Sequence, residues 1–143
     1  MSTAVVAAVV GLIGTLGAAV FLNWNKNVPA PTKVACVPAL AMPGDNAVLP
    51  QRVADEKFAL NWTFTWKACP EATKYHLFVI GPTASNPIVN EDSLTSAAYR
   101  FQRSHGQISK SKAQGWTWKV RAYADGQWGN WSEERKFSVT EPR

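Results

Sequence analysis

The sequence predicts an all-β fold, a seven-stranded antiparallel sandwich, preceded by one N-terminal transmembrane helix. Three observations carry that expectation. Residues 115–139, GWTWKVRAYADGQWGNWSEERKFSV, read as two alternating strands joined by the turn Ala124-Asp125-Gly126-Gln127 and a Trp-x-x-Trp-Ser bulge. In the first of them Trp116, Trp118, Val120 and Ala122 share one face, and Thr117, Lys119, Arg121 and Tyr123 share the other, the period of two that a half-buried strand requires. Residues 58–66, FALNWTFTW, place Phe58, Leu60, Trp62, Phe64 and Trp66 on one face in the same way. Residues 1–25, by contrast, carry no charged side chain, and residues 3–22 are almost wholly apolar or small. A helix of about 20 such residues spans the roughly 30 Å core of a bilayer, whereas helices in soluble cores are seldom apolar all round.

The helix is assigned to residues 1–24. A secretory signal peptide is the rival reading, but it requires a basic n-region and the first lysine here is Lys26, beyond the apolar run. A small-x-small cleavage frame at Val28-Pro29-Ala30 is spoiled by Pro31. Gly11, Gly14 and Gly17 recur every third residue and allow close helix approach, hence self-association; equally, glycine is simply common in membrane helices. Lys26 and Lys33 follow the helix, so the positive-inside rule alone favours a cytoplasmic C-terminal part.

A Pro-rich linker, residues 25–36, leads to a domain at residues 37–143, long enough for one small core and too short for two. Seven Trp and 11% aromatic residues suit a compact β domain. Its first strand is expected at residues 36–42, followed by a long turn through Pro43-Gly44-Asp45-Asn46 to the Pro50 region. The second covers residues 58–66. After the Ala68-Cys69-Pro70-Glu71-Ala72 turn the third runs over residues 74–80, with Tyr75, Leu77 and Val79 inward and Lys74, His76, Phe78 and Ile80 outward. Shorter strands are expected around residues 88–89 and 97–101, and residues 115–124 and 135–139 complete the set.

The segments FTWKACPEATKYHLFV and WTWKVRAYADGQWGNWSEERKFSV resemble fibronectin type III domains of the bacterial kind. The resemblance rests on Trp66, on Tyr75, Leu77 and Val79 after a Pro/Ala-Thr turn, and on Trp118, Val120 and Ala122, and it covers most of the chain after residue 37. It implies an immunoglobulin-like sandwich that serves as a recognition or structural module, with the membrane-distal pole at the loop joining the fifth and sixth strands. Residues 107–114 depart from the family pattern, being longer and more basic than its usual corner. Trp128-Gly129-Asn130-Trp131-Ser132 also resembles the Trp-Ser-x-Trp-Ser box of cytokine-receptor domains, with Gly129 in place of the first Ser.

In that fold the first and second strands are antiparallel. A register pairing Met42 with Thr63 brings Cys36 opposite Cys69, so a disulfide is expected; two unpaired buried thiols are the alternative. A disulfide implies an oxidising compartment, against the direction given by Lys26 and Lys33, and the extracytoplasmic placement is preferred.

Trp128 and Trp131, three residues apart, are positioned to set their indoles over Lys119 and Arg121 of the neighbouring strand, a structural cation-π ladder. The alternative is an exposed platform for sugar rings. Two candidate binding surfaces follow. No acid occurs between Asp92 and Asp125, where Arg100, Arg103, His105, Lys110 and Lys112 accumulate, a basic loop for an anionic partner or merely a solvated one. The outer sheet face with His76, Phe78, Ile80 and Tyr123 is the second, suited to protein contact.

His76 and His105 are the only histidines and neither sits in a metal-ligand frame, so no metal or other cofactor is expected. Ser109-Lys110-Ser111-Lys112 matches Ser-x-x-Lys formally but lacks companion motifs. The expectation is therefore a non-enzymatic, single-pass, membrane-anchored module for protein recognition or scaffolding, in the arrangement of an accessory subunit. A carbohydrate-binding module using surface Trp is the alternative, with glycan a second class of partner and nucleic acid disfavoured.

Overall fold

The computed structural model describes residues 36–51 and 57–141. The expected membrane helix at residues 1–24, its glycines, and the linker up to Cys36 lie outside the described residues. Nine strands form among those described: β1 (Leu40–Met42), β2 (Ala47–Leu49), β3 (Leu60–Trp66), β4 (Lys74–Ile80), β5 (Val89–Leu94), β6 (Ala98–Arg103), β7 (Trp116–Ala124), β8 (Gln127–Trp128) and β9 (Arg135–Val139). They make two sheets, one in the order β1-β3-β6, the other in the order β2-β9-β7-β4-β5 with β8 added on β7.

The alternation dictates the core. Leu60, Trp62, Phe64 and Trp66 of β3 point inward and are buried, as are Tyr75, Leu77 and Val79 of β4 and Trp116, Trp118, Val120 and Ala122 of β7. Phe58, expected on the same face, precedes β3 and is only half-buried. Trp62 contacts Phe101, Trp116 and Phe137 at 5.8, 5.6 and 5.5 Å between ring centroids, and Phe64 meets Trp118 at 5.2 Å across the two sheets. Such pairs add about 0.5–1.5 kcal/mol each to the gain from burying the rings.

Two short strands separate this fold from a seven-stranded sandwich. The chain leaves the first sheet after Met42, and β2 lies parallel to β9, Ala47 opposite Phe137 and Leu49 opposite Val139. The expected long turn thus contains a strand whose partner is some 90 residues away, beyond the reach of any local pattern. The other is β8, which closes a hairpin with β7 through Asp125 and Gly126, both at positive φ (54° and 78°), the mirror-image turn geometry that matches strand twist.

The first strand is shorter than expected, Leu40–Met42 in place of residues 36–42, and its register also differs. Met42 lies opposite Thr65, not Thr63, Leu40 lies opposite Trp66, and an irregularity falls between the two. Pro38 has no N–H to donate, which ends regular pairing on that side. Cys36 and Cys69 are nonetheless bonded to each other, with Cα atoms 5.8 Å apart. The other shift is at β5. The expected short segment at residues 88–89 becomes Val89–Leu94, a polar edge strand with Val89 buried and Asn90, Glu91, Asp92 and Ser93 exposed. An edge gains its hydrogen bonds from one neighbour only and needs no apolar alternation.

The registers also define two ends. Leu40 pairs with Trp66 at one end of β3 and Arg103 with Leu60 at the other, about 20 Å away at roughly 3.3 Å per residue. In the second sheet Ile80 lies opposite Thr117 and Lys74 opposite Tyr123. The loops after β4 and β6 therefore gather at one pole, opposite the end where Cys36 lies.

Candidate functional site

The outer face of β7 presents Lys119, Arg121 and Tyr123 at alternate positions, and the segment after β8 folds back over them. The Arg121 guanidinium lies 4.7 Å from the Trp128 ring centroid and 4.6 Å from that of Trp131. Lys119 Nζ sits 4.7 Å from Trp131 and 5.4 Å from Phe78, and Lys74 Nζ sits 4.5 Å from Tyr123 and 5.4 Å from Trp128. Cations and rings alternate from Phe78 at one end to Tyr123 at the other. His76 fills the middle, its ring 4.8 Å from that of Trp131. Arg121 Nε donates to His76 Nδ1 at 3.1 Å, which leaves Nε2 to carry the proton in the neutral ring and donate to Asn90 Oδ1 at 2.6 Å.

Backbone bonds explain why the Trp-x-x-Trp-Ser segment lies flat. Regular strand ends at Trp128 and resumes only at Arg135, so Trp131 is not on a bulged strand; instead Gly129 N–H donates to the Ala122 carbonyl and Ser132 N–H to that of Val120, both at 2.8 Å. The buried Ser132 hydroxyl accepts from Val120 N–H at 3.0 Å. Anchors three residues apart bring Trp128 and Trp131 onto β7. Of the expected outer-face residues, His76, Phe78 and Tyr123 are thus half-buried beneath this layer, while Ile80 lies beyond it at the end of β4.

The basic residues are not one cluster. Arg100 is on the outward side of β6, opposite Thr63 and about 10 Å along the strand from Arg103. His105 is exposed on the loop, and Lys110 Nζ lies 3.6 Å from Glu141, both side chains exposed. Arg103 and Lys112 converge on a cleft of about 330 Å³, floored by Pro82, Ile88, Ile108 and Trp116.

What fixes this loop escaped sequence reasoning. The buried Gln51 side chain grips the backbone of Ile108, its Nε2 donating to the carbonyl at 3.1 Å and its Oε1 accepting from the N–H at 2.9 Å. The same Nε2 also donates to the Thr140 carbonyl. Ile108 is buried, Lys110–Lys112 form a single 3₁₀ turn, and Ala113 is buried beside Val139, whose N–H donates to its carbonyl. Trp116 Nε1 donates to the Lys112 carbonyl at 2.8 Å. The one available signal was Ile108 itself, the lone apolar residue between Phe101 and Ala113.

At the other end of β6, Tyr99 is half-buried. Burial, and secondarily the charge of Glu91, push its phenol above the ordinary value of 10.0.

The chain matches no known family profile and no curated protein. Among solved structures it is similar to an Fn3-like protein from Clostridium thermocellum, at 17% identity and a TM-score of 0.48, over 78% of this chain and 99% of that one. It is also similar to the fibronectin type-III domain of human fibronectin type III domain containing protein 3, at 15% identity and a TM-score of 0.46, over 80% of this chain and 94% of that one.

Proposed function

We propose that this is a membrane-anchored, non-catalytic recognition module of the fibronectin type III kind, and that it binds another protein through the pole formed by the loops after β4 and β6. The observation that carries the reading is the contrast between its two candidate surfaces. On the β4–β7 face the aromatic side chains already hold cations, and Arg121 lies against both Trp128 and Trp131, so the indole faces a sugar platform would need are occupied from within. At the pole, Arg103, His105 and Lys112 are exposed beside a cleft, and among the described residues neither Arg103 nor Lys112 has an acidic partner. A surface that holds unneutralised charge on a rigid frame is suited to an acidic partner.

Support for the anchor is the apolar run at residues 3–22, and the Cys36–Cys69 bond supports an oxidising, extracytoplasmic setting. The strand order, β1-β3-β6 facing β2-β9-β7-β4-β5, is that of an immunoglobulin-type sandwich and supports the fibronectin type III reading. The pole lies at the end of the domain opposite Cys36, where the chain enters it, an arrangement suited to an accessory subunit that presents a contact surface.

The test is cross-linking of the full-length protein in its native membrane, comparing wild type with Arg103→Glu/Lys112→Glu. Loss of a specific cross-linked partner in the variant, with the thermal transition unchanged, is expected. A partner retained by the variant would overturn the assignment of the pole. Free thiols at Cys36 and Cys69 in membranes alkylated before extraction would overturn the extracytoplasmic placement.

A further inference from the structure

The cleft at the pole has a composition that narrows its ligand. Its floor is apolar and rigid. Trp116, only 7% exposed, is held by its hydrogen bond to the Lys112 carbonyl, and its ring lies so close to Gly81 that a Cβ there would stand 2.9 Å from it. Pro82, Ile88 and Ile108 complete the floor. Arg103 and Lys112 stand at the rim, the Arg103 guanidinium beside Gly106, where a Cβ would meet Nη2 at 3.6 Å. Among the described residues no acid lines the cleft, and at about 330 Å³ it has room for one or two small side chains.

A free phosphate or a polyanionic chain would engage the two cations and leave the apolar floor bare, whereas an uncharged aliphatic group would fill the floor and leave the cations without a partner. A carboxylate joined to an aliphatic group satisfies both, and on a surface read as binding a protein that pairing comes from a peptide. We propose that the cleft is a socket for a peptide segment of the partner protein in which a carboxylate adjoins an aliphatic side chain, the carboxylate between Arg103 and Lys112 and the aliphatic group against Trp116 and Ile108. This rests on the reading of the pole as the partner-binding surface and specifies its chemistry. The frame that Gln51 and the 3₁₀ turn provide means that little of the loop must be ordered on binding, which favours a short linear ligand.

The experiment uses the full chain in detergent micelles, isotopically labelled, with two probe peptides, Ac-Gly-Leu-Glu-Gly-NH2 and Ac-Gly-Leu-Gln-Gly-NH2. Saturable shifts of the Trp116 indole N–H and of the Ile108 amide are expected with the Glu peptide, and binding about tenfold weaker with the Gln peptide, as loss of one charge-assisted contact predicts. In Arg103→Gln/Lys112→Gln that preference should shrink to about twofold or less while weak binding of both peptides remains. Equal affinity of the two peptides for wild type overturns the proposal. So do shifts confined to Lys112 and the Arg103 side chain that tripolyphosphate reproduces, which mark an anion site alone.

The two readings are separated by Ala84→Trp, which fills the cleft from an exposed position without altering any charge. If this variant keeps the native cross-linked partner while Arg103→Glu/Lys112→Glu loses it, the pole binds the partner and the socket does not. If both lose it, socket and pole stand together.

Discussion

Replacing Trp131 with alanine removes one of the two inner rings of the alternating stack. The ring faces Arg121 at 4.6 Å and Lys119 at 4.7 Å, and cation-π contacts at partly exposed sites contribute about 0.5–1 kcal/mol each. It also meets His76 at 4.8 Å and Phe78 at 6.2 Å, ring contacts worth about 0.5 kcal/mol each at the weak end of their range. The expected loss is therefore about 2–3 kcal/mol. For a domain of roughly a hundred residues, where 1 kcal/mol shifts the midpoint by about 4–8 °C, that amounts to about 8–24 °C in Tm. Circular dichroism on heating and a urea titration give both numbers. Part of the loss is plain packing, so the electrostatic share is isolated by Arg121→Met, which keeps an apolar stem and deletes the guanidinium. The double-mutant cycle of the two should show a coupling of about 0.5–1 kcal/mol. Strict additivity, or a Trp131→Ala protein melting within about 2 °C of wild type, would refute the ladder as a stabilising device and return Trp131 to the status of a free surface aromatic.

Four further outcomes are expected. Reduction of Cys36–Cys69, or Cys36→Ser/Cys69→Ser, opens a 33-residue separation in the chain and should cost about 3–4 kcal/mol in urea unfolding; equal midpoints with and without reductant would contradict this. Gly81→Ala sets a methyl 2.9 Å from the Trp116 ring and should destabilise by about 1–3 kcal/mol while shifting the Trp116 indole N–H resonance; an unshifted resonance would show that the ring yields freely. Ser132→Ala strips the buried Val120 N–H of its acceptor at a cost of about 1–3 kcal/mol, readable as a lower urea midpoint at unchanged m-value. Tyr99 supplies the pH dependence. Its folded phenol resists ionisation relative to the unfolded one, so its contribution is full below about pH 10 and is lost as the pH climbs from there through the raised folded value. Tyr99→Phe should flatten that alkaline decline in urea midpoints, and an unchanged decline would assign it to other groups.

Which parts of this architecture were legible follows from how local their causes are. β3, β4, β7 and β9 each bury one face, so the period of two is written into Leu60 to Trp66 or Trp116 to Ala124 without reference to any partner. The ladder was legible for the same reason, since Lys119 and Arg121 share a face by alternation and the spacing of Trp128 and Trp131 matches bonds from Gly129 and Ser132 to β7. β2 was not, because Ala47–Leu49 is defined by hydrogen bonds to β9, and three residues carry too little pattern to announce a parallel partner. β5 has the opposite difficulty: its sequence, VNEDSL, is an edge, and edges are marked by charge, which sequence reading assigns to loops. At the pole the decisive residue is Gln51, whose amide meets Ile108 across 57 positions. No periodicity encodes such a contact, and only the isolated Ile108 hinted that the basic loop is plugged into the domain.

Among the described residues, two groups of cations differ in what they meet. Lys74, Lys119 and Arg121 lie over rings, and Arg135 donates to the carbonyls of Ala41 and Pro43, at 2.8 and 3.2 Å, where the chain crosses between sheets. Each of these cations has its partner within the fold. Arg103, at the end of β6, and Lys112 meet nothing of opposite charge among the described residues, yet the loop between them is clamped by Gln51, plugged by Ile108 and bonded to Trp116. The Gln51 bonds and the buried Ile108 stabilise the domain in their own right, and they also hold the backbone between the two cations in a fixed course. The same comparison accounts for the indoles. Trp128 and Trp131 look available in the sequence and are engaged in the fold, while Trp116, counted in the sequence as one more core residue, forms the floor of the cleft at the pole.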